Sequence, residues 1–392
     1  MRSRASPLLG EGNNQSRTGA ILRFKAFAGQ APAWKQGALP VVDACQSRLG
    51  TGDGAQTSRS TEMVHQNPEI TDLKVLITGG GGFLGSHLCQ WLLGLGCEVH
   101  ATSRIERERD GRGPIWWRAD MADLSMARSV VAAVKPDIVY HLAGSVGASP
   151  DLELVVPTYQ SLLTSTLNVL LAGTEACSGR IILSGSFTEP QPSLVHPTPH
   201  SPYAAAKWAA SGYGRMFNIL FQAPVVILQP FMVYGPRQAP AKLIPTVIKS
   251  LLGDTAPKVT SGKRRADWVY VDDVIDGFVL AATTKGIEGA TIDLGSGRLV
   301  SIREIVERIV AIVGSAPSPI FGAVPDRPAE NEVIADTEFA RARLGWTAKT
   351  SLDEGLRRTV HWYRDGAIAA VIAQALSQLL LLNNWDELSA LL

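Results

Sequence analysis

Tyr203 and Lys207 are the residues in this chain whose types and spacing first suggest chemistry. They bracket Ala204-Ala205-Ala206, a strongly helix-forming run, and a four-residue separation stacks phenol and ammonium on one helix face. A phenol of ordinary pKa, about 10, is a poor base at neutral pH. A neighbouring ammonium favours the phenolate and brings the group toward an acid–base working range. Upstream, Leu183-Ser184-Gly185-Ser186 closes a short apolar run, and a hydroxyl at a strand end can hydrogen-bond a reacting oxygen. A Tyr-xxx-Lys pair also arises by chance on amphipathic helices, where it is structural, so a second signal has to accompany it.

That signal is a glycine run. Leu73-Lys74-Val75-Leu76-Ile77-Thr78 reads as a buried parallel strand, and Phe83 through Leu93 carries helix-spaced apolar residues. Between and just inside them lie Gly79, Gly82 and Gly85, the spacing of a dinucleotide cradle. The first glycine permits the tight turn, the second lets a pyrophosphate approach the backbone, and the third lets helix pack on strand. Phosphates then meet free N–H groups at the positive end of the helix. Four consecutive glycines could also be a plain flexible turn. The next strand ends in Ser103-Arg104, where an acidic residue would suit NAD and an arginine suits the 2′-phosphate of NADP. The bland alternative for Arg104 is a solvated residue heading the charged loop 104–112.

These residues need a scaffold that alternates strand and helix, and the pattern from Leu73 onward supplies one. Strands are expected at Cys97–Thr102, Asp137–Leu142, Arg180–Leu183 and Val225–Leu228, with helices at Ala127–Val134, Leu162–Leu171 and Ala204–Phe217. Repeated βα units imply an α/β fold: a Rossmann-type, doubly wound parallel sheet. A smaller C-terminal substrate-binding lobe, with helices over Lys242–Leu252 and Ile302–Val313, is expected to interleave with it. The segment Trp268–Ala282 would return to the sheet before the chain leaves again at Thr291. The expected division is 1–72 as a low-complexity extension and 73–231 with 264–296 as the cofactor domain. Residues 232–263 with 297–365 then form the lobe, and 366–392 an apolar helical tail.

Composition narrows the class further. With 392 residues, 45% of them hydrophobic, the chain can bury a large core. A net charge of +1 offers no electrostatic basis for nucleic acid or an anionic membrane as partner. Cys45, Cys89, Cys97 and Cys177 lack metal-ligand or redox spacing, so no metal and a reducing, cytoplasmic setting are expected. The leader, poor in acidic residues, reads as a disordered extension or an overlong start before Met63, with an organelle transit peptide as the alternative. The run Ile368–Leu382 contains Gln374, Ser377 and Gln378, and reads as a helix packing on the body or a partner rather than a membrane span.

Taken in order, the motifs resemble the extended short-chain dehydrogenase/reductases, the NAD(P)-dependent sugar-nucleotide epimerase/dehydratase group. The resemblance covers roughly Leu73 to Arg364. Thr78-Gly79-Gly80-Gly81-Gly82-Phe83-Leu84-Gly85 is similar to that family's TGxxGFxG turn, and His141-Leu142-Ala143-Gly144 to its HLAA segment. Pro230 through Gln238 resembles RPFNVYGPRQ, and Asp267 through Val274 resembles DFVYVDDV. Arg327-Pro328 through Ala335-Asp336, with Leu344-Gly345-Trp346, is similar to the C-terminal substrate-binding region. The resemblance implies a catalytic set of Ser186, Tyr203 and Lys207, in which Lys207 also binds the nicotinamide ribose. It implies a cofactor lining of Gly79, Gly82, Phe83, Leu84, Gly85, Asp120, Met121, Leu142, Ala143, Gly144, Tyr203, Lys207 and Pro230, with Arg104 beside them. On the substrate side it implies Met232, Arg237 and Arg327, the last as a clamp on a diphosphate. The expected cofactor is NAD(P), leaning to NADP through Arg104, the substrate a nucleotide sugar, and the assembly a homodimer.

Departures from the family pattern refine the expectation. Dehydratases follow the catalytic hydroxyl with an Asp-Glu pair, whereas Ser186 is followed by Phe187 and Thr188, and Glu189 comes one position late. Gln229 stands where an arginine is usual, and Met232 where an asparagine is. Epimerisation or reduction of a keto sugar is therefore expected, with Tyr203 as the acid/base. A 4,6-dehydratase-like enzyme and a non-catalytic NADP-sensing or scaffold protein are the alternatives.

Overall fold

A computed structural model describes residues 70–147, 149–191, 196–314, 317–326 and 332–381, with backbone alone beyond residue 366. The first half runs β1 (Lys74–Thr78), α1 (Phe83–Gly94), β2 (Glu98–Ser103), β3 (Ile115–Arg118), α2 (Leu124–Val134), β4 (Ile138–His141), α3 (Leu152–Glu175) and β5 (Arg180–Ser184). It continues through α4 (Pro202–Phe221), β6 (Val225–Pro230), β7 (Met232–Tyr234), α5 (Leu243–Leu252), β8 (Lys258–Val259), β9 (Arg265–Tyr270) and α6 (Val271–Thr283). Then follow β10 (Thr291–Leu294), β11 (Leu299–Ser301), α7 (Ile302–Val313), β12 (Ile320–Phe321), α8 (Thr337–Leu344) and α9 (Leu352–Leu381).

Seven strands form one parallel sheet in the order β10-β6-β5-β4-β1-β2-β3. The central strands are apolar along their length because both faces are covered. Val75, Leu76 and Ile77 are fully buried, as are Ile181, Ile182 and Val225 to Leu228. The chain leaves β1 toward β2 on one side and later returns to β4 on the other, so the strand order reverses between β1 and β4. The crevice at the carboxyl ends of those two strands is where such sheets bind ligands. The fold matches the doubly wound expectation.

Five details differ from the expected arrangement. Ile115–Arg118 adds a strand that the charged loop before it hides in the sequence. Thr291–Leu294 does not leave the sheet but joins it as the edge strand beside β6. Arg265–Tyr270 instead sits between β7 and β11 in a separate three-stranded sheet. The proposed boundary at 365 falls inside α9, which continues unbroken to Leu381. The extension expected to end at residue 72 also contributes to the core, because Ile70 is fully buried against the β1 side of the sheet. Residues 1–69 lie outside the described residues, as do 382–392.

The lobe is tied to the sheet by two buried carboxylates. Asp267 accepts hydrogen bonds from Ser296 N and Oγ, Gly297 N and Ala335 N at 2.6 to 3.1 Å. Asp273 accepts from Thr350 N at 3.0 Å and Oγ1 at 3.1 Å, and its carbonyl accepts from Trp346 Nε1 at 2.8 Å. Buried carboxylates are tolerated where N–H groups meet them in this way. The DFVYVDDV-like segment is thus a structural strap that holds β10 and the residues before α8 and α9 in place.

Candidate active site

The glycine turn after β1 has the form that a phosphate cradle requires. Gly79 adopts φ +70°, and a Cβ there would lie 2.8 Å from the Ala143 backbone. A Cβ on Gly85 would meet the carbonyl oxygen of Gly79. Gly82 caps α1 without any side chain bonded to the helix end, and the first turn holds no acidic residue. The N–H groups at this helix end are therefore left to a negatively charged group. Phe83 and Leu84 open the helix, partly buried against the core.

Across the switch point, Thr78 joins the ends of β1 and β4. Its hydroxyl accepts from Leu142 N and Ala143 N, each at 3.2 Å, and so donates to His141 Nδ1 at 2.8 Å. His141 Nε2 lies 3.3 Å from Ser165 Oγ on α3. Burial pushes the imidazole down to about 3, with Lys207 adding to the effect, so His141 is a neutral structural link. Gly144 takes φ +148° and leaves no room for a Cβ beside the Leu162 side chain.

At the adenosine side, Met121 is buried and its carbonyl accepts from Asn168 Nδ2 at 3.0 Å. Asp120 is exposed at the end of β3, and its Oδ1 accepts from Ala122 N at 3.0 Å. Arg104 is exposed. The guanidinium that lies over the glycine turn belongs to Arg107: a Cβ on Gly81 would come within 2.5 Å of its Nη2. The same guanidinium sits 5.0 Å from the centroid of Trp116 on β3, a cation–π contact. Arg107 is exposed as well.

The catalytic candidates converge at the carboxyl end of β5. Helix α4 starts where Ser201 Oγ accepts from Ala204 N at 3.1 Å and Pro202 sits in the first turn, both standard helix-start devices. This start fixes Tyr203 and Lys207 one turn apart beside the β5 end. Lys207 Nζ donates to the Ser184 carbonyl at 2.5 Å. Ser186 Oγ lies 2.9 Å from Thr188 Oγ1, accepts from Thr188 N at 3.2 Å, and hydrogen-bonds Tyr203.

Electrostatics correct one expectation. Burial raises Tyr203 above the ordinary phenol value; the Ser186 hydrogen bond opposes this and the Glu189 charge adds to it. Lys207 does not pull the phenol down here. Its own value is instead lowered by burial to about 8, with Glu189 working against the shift. Tyr203 therefore holds its proton in this structure.

Glu189, one position late for the acid of a dehydratase, takes a different place in the site. It is buried, and Oε1 accepts from Ser186 N at 2.8 Å and from Ser211 Oγ at 3.0 Å. An acidic residue in an otherwise uncharged stretch between Ser186 and Pro190 was the available signal.

On the substrate side, Pro230 is buried at the end of β6, and Met232 on β7 is partly buried. Phe187 stacks on Phe231 with ring centroids 5.4 Å apart, an apolar wall where a dehydratase would carry its acid. Arg237 is exposed with φ +64°, near His87, whose ring is hydrogen-bonded with the Pro236 carbonyl at 3.0 Å. Arg327 lies outside the described residues. Among the described residues no group of three or more metal-ligating side chains comes together.

Comparison with known proteins places this geometry among relatives. The profile of the NAD dependent epimerase/dehydratase family matches residues 75–295. A UDP-glucose 4-epimerase of Mycolicibacterium smegmatis is 29% identical over 75% of this chain and 99% of its own length. A dTDP-glucose 4,6-dehydratase of Haemophilus influenzae is 27% identical over 74% of this chain and 98% of its own. The crystal structure of a UDP-glucuronic acid 4-epimerase from Bacillus cereus, in complex with UDP-glucuronic acid and NAD, is 27% identical with a TM-score of 0.67. It covers 75% of this chain and 99% of that one.

Proposed function

The chain belongs to the NAD-dependent epimerase/dehydratase family, within the extended short-chain dehydrogenase/reductase enzymes, and on that premise we propose that it epimerises a nucleotide-activated sugar at a ring carbinol carbon. The observation that carries the reading is the convergence of Ser186, Tyr203 and Lys207 at the β5 end, on the same edge of the sheet as the glycine cradle. NAD(P), when bound, supplies the hydride acceptor and donor for the sugar carbon.

The protein residues account for the rest. Ser186 and Tyr203 share a hydrogen bond, so both can reach one sugar oxygen, and Tyr203 exchanges the proton at that oxygen. Lys207 holds the Ser184 carbonyl and keeps further donors for a ribose. Phe187 and Phe231 wall the site with apolar surface that excludes water. Elimination of water is disfavoured, because Phe187 and Thr188 stand where its acid and base would, and the Glu189 carboxylate is turned to Ser186 N and Ser211.

Net ketoreduction by NADPH is the second reading, favoured by the guanidinium over the glycine turn. On that reading Arg107→Ala raises KM for NADPH about 10-fold or more and leaves KM for NADH nearly unchanged, while Arg104→Ala changes neither. Steady-state kinetics with both cofactors checks this. Equal loss for NADH and NADPH in Arg107→Ala would reject NADP discrimination by this residue.

For the assembly the reading is a homodimer. Among the described residues α3 is the one helix long and apolar enough to cross a membrane, by length and composition only. It packs on α2 and α4 and exposes Leu152, Val155, Val156 and Tyr159, while α4 exposes Trp208 and Tyr213. An apolar stripe of this size on two adjacent helices suits a second copy of the chain. Free thiols at Cys89, Cys97 and Cys177 suit a cytoplasmic setting.

Native mass spectrometry of the purified chain, with turnover of UDP-glucose and UDP-glucuronic acid, tests the proposal. A dimer mass with retained NAD(P) and epimerisation without added cofactor is expected. Stoichiometric consumption of NADPH would replace epimerisation by reduction.

A further inference from the structure

Glu189 is a buried carboxylate at the active site that the proton transfers above do not use. It meets donors from three directions: Ser186 N in the turn after β5, Ser211 Oγ on α4, and the Gln229 side chain on β6. Its room exists because residue 185 is glycine. A Cβ there would lie 2.8 Å from Glu189 Oε1 and 2.9 Å from Gln229 Cγ. A carboxylate is buried at a cost unless donors converge on it, and here one of those donors is the main chain of the catalytic serine. The glutamine at 229, an oddity in the motif, is part of the same cluster.

We propose that Glu189 is a positioning residue: it holds the Ser186 main chain in register with Tyr203 and supplies buried negative charge behind Lys207. The proposal rests on the catalytic reading of those three residues. The ionisable groups that sense Glu189 are Tyr203 and Lys207, both on α4. The other groups around it, the Ser186 amide, Ser211 and Gln229, are neutral, and His141 on β4, which Lys207 acts on, is held neutral by burial. Its own value is raised by burial and pulled back by Ser211, Ser186, Gln229 and Lys207. Negative charge favours the ammonium, so its removal lets burial push Lys207 below about 8 and the charge disappears at lower pH.

The test follows cofactor binding by fluorescence across pH for the full chain, with NADH or NADPH, whichever the wild type binds more tightly. Thermal melts run alongside. In the wild type, affinity should fall as pH rises through about 8, where Lys207 loses its charge. Glu189→Gln keeps an oxygen for Ser186 N and removes the charge, so the fall should move down by about one pH unit. Glu189→Asp keeps the charge on a shorter arm; its midpoint should stay while turnover drops about 10-fold or more. An unmoved midpoint in Glu189→Gln would overturn the proposal. Should that variant fail to fold, a midpoint in Glu189→Asp displaced downward would do so instead. A wild type without alkaline loss, or Lys207→Met binding as tightly as wild type, would overturn the catalytic reading and the proposal with it.

Discussion

Tyr203→Phe is expected to lower turnover by about 10²- to 10⁴-fold and to change cofactor affinity by less than about twofold. The phenol contacts Ser186 through its hydroxyl, and burial holds its proton in place through the neutral range. Phenylalanine keeps the ring, the volume and the helix, so packing beside β5 survives. What is lost is the one atom that can pass a proton to and from the sugar oxygen. Ser186 is engaged instead with Thr188, whose N–H donates to its hydroxyl and whose own hydroxyl lies 2.9 Å away. Steady-state kinetics together with a cofactor titration separate the two effects. Turnover within about threefold of wild type would remove Tyr203 from its role, and a parallel loss of cofactor binding would make the residue structural.

Gly85→Ala has the second large effect, and it acts on binding. The added methyl would press on the Gly79 carbonyl, with Gly80 Cα at 2.9 Å and Gly79 C at 3.0 Å. All three are backbone atoms of the turn, so no side chain can swing aside. The turn has to open, and the N–H groups at the start of α1 lose their common aim. Cofactor affinity should fall by about 10²-fold or more, equivalent to about 3 kcal/mol. The folded state should lose roughly 1–3 kcal/mol from overpacking. Gly94→Ala at the other end of α1 is the matched control. A Cβ there meets nothing within 4 Å, so binding should be unchanged and stability unchanged or slightly higher. Calorimetric titration and a thermal melt on both variants check the pair, and wild-type affinity in Gly85→Ala would disprove the cradle.

Much of the site could be read from the chain because its signals are local. A glycine is needed wherever φ is positive or a helix meets a strand, so Gly79 and Gly85 announce their geometry in one dimension. Tyr203 and Lys207 sit one helical turn apart, and Ser201-Pro202 marks where that turn begins. The apolar strands were equally open to reading, because a parallel sheet covered on both faces admits few polar residues. β3 was not, since Ile115-Trp116-Trp117-Arg118 is short and only partly buried. Nor was the place of Thr291–Leu294, whose pairing with β6 depends on where the intervening lobe folds.

By itself, then, the sequence determined the doubly wound sheet, and its spacing singled out the glycine turn and the Tyr203–Lys207 pair as candidates, because those signals lie along one or two adjacent elements; Ser186 joined them at a strand end, and its catalytic role through the family resemblance. Only the tertiary structure brings Arg107 against Gly81, because that approach depends on the conformation of a loop in which both Arg104 and Arg107 are exposed. It also set the proton affinities. Burial raises Tyr203 and lowers Lys207, and burial is a property of everything packed around them. Glu189 belongs to the same category. Its partners come from residues 186, 211 and 229, on three elements that meet only when the sheet closes.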